Sequence, residues 1–156
     1  METLGSLVDK LTIKDIREFH LLQMIAEKGG KFSQTELKKK LQVLRKQKKD
    51  LAGEIDGFVA LALRGKVHLK DEKLKLYNAR ADMGRIPTTA SLGEAVAGLA
   101  DKNSELWQLE DEARRKDAGL SYIGSIKRKI DLANQQRNDF IDKIDELFDK
   151  KIKRLK

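Results

Sequence analysis

A chain of 156 residues, 40% hydrophobic and 37% charged with one proline, is long enough to bury a core and has the composition of a helical bundle. The lack of cysteine excludes disulfides and thiolate metal sites, and no run approaches the roughly 18 apolar residues of a membrane span. The net charge of +8 admits an acidic partner such as nucleic acid, anionic lipid or a phosphorylated metabolite. Acids and bases are nevertheless interspersed in most stretches, which favours a solvated lysine-rich surface.

The first helix is predicted from Leu4 to Glu27, stopped by Gly29 and Gly30, because glycine commonly follows a helix C-cap. Ser33 and Glu36 are spaced as a capping box and open a second helix. Its stripe of Leu37, Leu41, Leu44, Leu51, Ile55, Phe58 and Ala62 runs at alternating spacings of four and three, and it ends near Gly65. Residues 66–87 form a connector, in which Lys70 to Asn78 is a candidate short helix and Val67 to Leu69 reads equally as extended. Gly84 and Pro87 break whatever forms there. Ser91 and Glu94 are a second capping-box pair, opening a third helix that reaches Lys116. Asp117, Ala118 and Gly119 make the turn, and a fourth helix carries Ile126, Ile130, Ala133, Phe140, Ile144 and Leu147.

The halves resemble each other. Leu4, Gly5, Val8, Leu11, Lys14 and Phe19 recur 88 positions later as Leu92, Gly93, Val96, Leu99, Lys102 and Trp107. Gln47, Asp50, Ile55 and Asp56 recur 89 positions later as Gln136, Asp139, Ile144 and Asp145. A near-constant offset implies duplicated modules, and short turns force antiparallel neighbours. The expected fold is therefore all-α, an antiparallel four-helix bundle built from two duplicated hairpins. It forms a single domain over residues 1–156, with hairpins at 4–62 and 92–151.

Each apolar stripe is interrupted by charge. Lys48 in the second helix and Arg137 in the fourth stand at equivalent places, facing Asp15 and Glu18 of the first helix and Asn103 and Glu110 of the third. A buried charge must be paired or it costs several kcal/mol, so intra-bundle ion pairs account for these residues. The alternative is a polar pocket lined by Asp15, Glu18, Lys48, Asn103, Glu110, Asn134 and Arg137, since bundle cores do host ligand sites. In either case Arg137 is expected to be partly buried against the third helix, on Glu110 or Asn103. The acids Asp139, Asp142, Asp145 and Asp149 read as an exposed ridge rather than a cation site, and no di-iron ligand set is present among the two histidines, His20 and His68. No metal or cofactor is implied, and aromatics interleaved with bases, as a single-strand binder needs, are missing.

Three strings, NSELWQLEDEARR (Asn103 to Arg115), IKRKID (Ile126 to Asp131) and NQQRNDFID (Asn134 to Asp142), together with TLGSLVDKLTI (Thr3 to Ile13), Phe19-His20 and KLYN (Lys75 to Asn78), carry a resemblance. They are similar to an uncharacterised bacterial family of helical proteins whose genes lie beside glycosyltransferases in surface-polysaccharide clusters. The resemblance implies a context rather than a reaction. In that family the Trp-containing block comes first, so the two halves of this chain look permuted. Gln108 stands where the family has a histidine after Leu-Trp, and His20, 88 positions earlier, retains the corresponding one.

The reading is a cytoplasmic binding or accessory protein linked to surface-glycan synthesis. Its partners would be glycosyltransferase-pathway proteins or a second copy of itself; nucleic acid is not favoured. No secretory leader is expected, because Leu4 and Leu7 follow the start directly. The rival reading is an enzyme or receptor for a phosphorylated or nucleotide-linked sugar. Arg137, Lys127 and Arg128 would then hold phosphate, His20, Glu110 or Asp111 would handle protons, and Trp107 and Tyr77 would complete the site, with Tyr77 in a flap at residues 70–78.

Overall fold

The computed structural model describes residues 1–71, 86 and 91–156. They form four helices and no strand: α1 (Leu4–Ala26), α2 (Gln34–Leu63), α3 (Leu92–Ala113) and α4 (Leu120–Arg154). The fold is an all-α four-helix bundle. Thr3 begins α1 by accepting from the Ser6 N–H, and the Ser6 hydroxyl accepts from the Thr3 N–H in return. Ser33 and Glu36 form the expected reciprocal box at α2, and Ser91 accepts from the Glu94 N–H at α3. Each such side chain satisfies an amide that the helix itself cannot. Gly29, at φ 113°, supplies the left-handed backbone of the turn after α1.

The third helix ends three residues before the predicted Lys116. The Arg114 and Arg115 amides bond back to the carbonyls of Asp111 and Glu112, tightening the last turn into the 3₁₀ pattern that closes many helices. Arg115 then pairs with Asp117 across the turn.

The core is unevenly distributed along the bundle. Leu4 and Leu7 of α1, Phe58 and Ala62 of α2, Ala95 and Leu99 of α3 and Ile144, Phe148 and Ile152 of α4 make one buried cluster at a shared end. Towards the other end, Leu106 packs with Ile126, Ile130 and Ala133 inside the α3–α4 hairpin alone. The α1–α2 hairpin has its own seam there, through Leu37, Leu41 and Leu44. The helices therefore share a core at the end of the α1 and α3 N-termini, and a cleft separates the hairpins near the two turns. Val67, Leu69 and Ile86 lie against the shared core, and Lys70 reaches Asp149 at 3.0 Å. The connector thus begins docked on the bundle. Most of the segment expected to act as a flap, including Tyr77 and Asn78, lies outside the described residues.

α1 touches all three other helices. Its N-terminus is pinned by Asp145 of α4, whose carboxylate accepts the Gly5 N–H at 2.7 Å, a charge-assisted bond aligned with the helix dipole. The approach needs glycine, since a Cβ on Gly5 would stand 2.3 Å from the Ile141 carbonyl oxygen. At Gly93, the corresponding position in α3, a Cβ would meet nothing within 4 Å. Gly5→Ala is therefore expected to lower unfolding stability by about 2–3 kcal/mol through overpacking, whereas Gly93→Ala should leave it unchanged or raise it by up to about 1 kcal/mol. Urea denaturation of the two variants measures the contrast.

Candidate functional site

The polar layer is assembled around α1. Asp9 is buried, its side chain only 7% exposed. Arg137 of α4 grips it with both arms of its fork: Nε donates to Oδ1 at 2.8 Å and Nη2 donates to Oδ2. Asn103 of α3 donates from Nδ2 to the same Oδ1 at 3.0 Å and to the Thr12 hydroxyl at 2.8 Å. That hydroxyl donates in turn to the Asp9 carbonyl. Three helices thus meet on one carboxylate. The Asp9 hydrogen bonds outweigh burial and raise the Arg137 pKa above its ordinary value, so the guanidinium keeps its charge in the cluster.

Arg137 is partly buried, as its stripe position implied, but its partner is Asp9 of α1 rather than Glu110 or Asn103 of α3. The reason is geometric: α1 packs on α3 and α4 as well as α2, so it has a second buried face that a single stripe does not reveal. Asn103 joins the same cluster as a donor to Asp9.

Lys48, the counterpart of Arg137, stays within its own hairpin. Its ammonium donates to Asp15 at 2.6 Å and to Glu18, while Arg45 binds Glu18 from the solvent side at 2.7 Å. The bonds from Arg45 and then Lys48 hold the Glu18 carboxyl below its ordinary 4.5, and the bonds to Asp15 and then Glu18 raise Lys48 above 10.5.

A cleft of about 390 Å³ opens beside the Asp9 cluster. Arg17 of α1, Asn103, Trp107, Glu110, Asp111 and Arg114 of α3, and Asn134 and Arg137 of α4 line it over a floor of Ile13 and Leu106. Arg17 and Trp107 also border a second, largely apolar groove of about 610 Å³ between α1 and α2, with Leu21, Met24, Val43 and Leu44. His20 lies in this groove with its ring flat against the Trp107 indole, 4.5 Å between centroids and 8° between planes. Its Nδ1 is 3.2 Å from the Gln23 amide oxygen. The Trp107 indole N–H is buried without a hydrogen-bond partner among the described residues. Such an orphan donor is uncommon in a folded protein and calls for an acceptor from water or a ligand.

Of the candidates read from sequence, Asn103, Trp107, Glu110, Asp111, Asn134 and Arg137 come together in the cleft. Asp15, Glu18 and Lys48 form the separate ion-paired cluster, and His20 borders the neighbouring groove. Lys127 and Arg128 are exposed on α4 and do not line the cleft. Tyr77 lies outside the described residues. The sequence reading missed Asp9, Thr12, Arg17 and Arg114. Asp9 and Ile13 sit four apart, off the Leu4-Val8-Leu11 stripe, and that second periodicity was the available signal. Arg17 and Arg114 are exposed arginines without a pattern of their own. Asp145 and Asp149 of the supposed acidic ridge are buried in structural roles, and no group of three His, Cys, Asp or Glu side chains able to hold a metal occurs among the described residues.

Arg137→Ala leaves the Asp9 carboxylate buried without its counter-charge and is expected to destabilise by about 3 kcal/mol or more. Adding Asp9→Asn should recover part of that loss, and a double-mutant cycle by chemical denaturation measures the coupling. For Glu18, whose folded pKa is depressed, the stabilisation is present above pH 4.5 and is lost as pH falls through the depressed value. Lys48, raised from 10.5, contributes fully below that pH and loses its effect only beyond it. Stability measured across pH should therefore be flat from about pH 5 to 10 and decline on the acid side. Glu18→Gln should make that acid decline shallower.

No curated protein and no solved structure matches the chain. The profile of one family, described as a protein of unknown function (DUF4254), matches residues 1–70 and 93–156. The first segment contains α1 and α2 and the second contains α4 and all of α3 but its first residue. With both hairpins and every cleft residue inside the matched segments, the chain belongs to the DUF4254 family of proteins of unknown function.

Proposed function

We propose that this protein is a binding protein for a phosphorylated or nucleotide-linked sugar, held in the cleft among α1, α3 and α4, and that it serves surface-glycan synthesis. The observation that carries the reading is the lining of that cleft. Arg17, Arg114 and the free edge of the Arg137 fork offer guanidinium groups suited to phosphate oxygens. Asn134, Glu110 and Asp111 offer the amide and carboxylate groups that sugar hydroxyls bond to. A volume of about 390 Å³ falls within the range of small-molecule sites.

Binding suits the site better than catalysis. His20 stacks on Trp107 in the adjoining groove, which leaves Glu110 and Asp111 for proton transfer, and both are exposed. The glycan context and the exchanged order of the halves rest on the family resemblance, and a cytoplasmic location is proposed from the composition, which holds no cysteine. An accessory role towards glycosyltransferase-pathway proteins is compatible with a bundle that presents a bound sugar donor or senses its level.

The test is calorimetric titration and thermal shift against nucleotide sugars, nucleoside diphosphates and sugar phosphates. A ligand present at about 100 times its dissociation constant should stabilise the fold by about 2.7 kcal/mol. Arg17 is exposed and forms no ion pair among the described residues, so Arg17→Ala should weaken binding about tenfold or more, as expected for a lost charged hydrogen bond, at unchanged intrinsic stability. No response across the three classes of compound refutes the reading.

A further inference from the structure

The charge of this molecule is segregated along the chain. Between positions 28 and 49 stand nine bases and one acid, Glu36, so this segment alone carries the net +8 of the whole chain and the remaining residues balance to zero. It comprises the turn after α1 and the first half of α2. Arg45, Lys46 and Lys48 are taken up by Glu18, Asp50 and Asp15. Lys28, Lys31, Lys38, Lys39 and Lys49 are exposed and have no carboxylate partner among the described residues. Lys40 sits over the Phe32 ring, 5.5 Å from its centroid.

Apolar side chains stand out among these bases. Phe32 is 39% exposed in the turn, Val43 is 58% exposed on α2, and Met24 at the end of α1 is 39% exposed. At the same end of the bundle the α3–α4 turn presents Leu120, 93% exposed. A cluster of this kind gains little in water. Unpaired lysines around protruding apolar groups are the pattern of a surface that lies on an anionic bilayer: the bases meet lipid phosphates and the apolar groups enter the headgroup boundary. A nucleic-acid backbone would satisfy the lysines but offers Phe32 and Leu120 no apolar phase to enter.

We propose that the end of the bundle carrying the two turns docks on an anionic membrane surface, with Lys28, Lys31 and Lys38 to Lys40 against lipid phosphates and Phe32 and Leu120 entering the interface. No described helix is long and apolar enough to cross a membrane, so the attachment is peripheral and reversible. It is independent of what the cleft holds.

The test is co-sedimentation of the full chain with vesicles of phosphatidylcholine alone and of phosphatidylcholine mixed with phosphatidylglycerol. Binding is expected with the mixed vesicles, and it should be lost near 1 M salt, where the screening length falls to about 3 Å. The triple variant Lys38→Gln, Lys39→Gln, Lys40→Gln should lower partitioning about a hundredfold, since each lysine near such a surface contributes about a factor of five. Phe32→Ser should lower it about tenfold. The opposite-end control Lys151→Gln, Lys153→Gln, Arg154→Gln removes the same charge and should change it by less than about threefold. These positions are exposed, and circular dichroism confirms that each variant keeps its helices. Absence of binding to the mixed vesicles, equal losses from both triple variants, or tighter binding to duplex DNA than to the vesicles would each overturn the proposal.

Discussion

The fold is organised around one buried carboxylate. A charge placed among packed helices costs several kcal/mol unless it is compensated, and Asp9 is compensated from two directions, by the Arg137 fork of α4 and the Asn103 amide of α3. The arrangement works at one register only. Rotating α1 by a single residue, about 100°, would turn Asp9 away from both partners and leave an arginine and an amide without acceptors. The cluster therefore sets how the first hairpin sits on the second. It lies between the shared core at one end and the cleft towards the other, so it closes the core and forms a wall of the site at once.

Related positions in the two halves have taken different work. Arg137 crosses to the other hairpin while Lys48 stays at home. Asp145 is buried on the Gly5 amide, whereas Asp56, its counterpart, faces solvent. Asn103 stands where the first half has Asp15: the amide enters the buried cluster and the carboxylate keeps an exposed ion pair. His20 stacks on Trp107, and their counterparts Gln108 and Phe19 border a common cavity beside it. Arg137 crosses between hairpins with a two-armed fork, and Asn103 donates there without adding charge. The α3–α4 half supplies most of the cleft, and α1 contributes Ile13 and Arg17.

Much of this was legible in the sequence, because helices announce themselves through local signals. Ser33 with Glu36 marked the start of α2, the glycines after Glu27 marked the end of α1, and the spacing of Leu37, Leu41 and Leu44 marked the buried face. In-stripe charges at Lys48 and Arg137 correctly pointed to partly buried bases. What local pattern could not supply was the partner. Periodicity assigns one apolar seam per helix, but α1 carries two buried faces, and Asp9 belongs to the second. Cleft residues such as Arg17 and Arg114 leave even less trace, because an exposed arginine at a cleft rim has the same sequence signature as one in open solvent.

The hydrogen bond between the Gly5 amide and Asp145 joins positions 140 residues apart, and it has a consequence for the order of assembly. α1 and α2 can pair as soon as both are synthesised, being joined by a short turn. The second face of α1, with Asp9 and the N-terminal amides, must wait for the last helix of the chain. On the ribosome the nascent first hairpin therefore spends most of its synthesis with a carboxylate that lacks its cation and an apolar seam that lacks its cover. Contacts of such long sequence separation slow folding and lengthen the exposure of unfinished surfaces. An ionisable group on that surface is costly to bury until α4 supplies Arg137, whose fork then closes on Asp9.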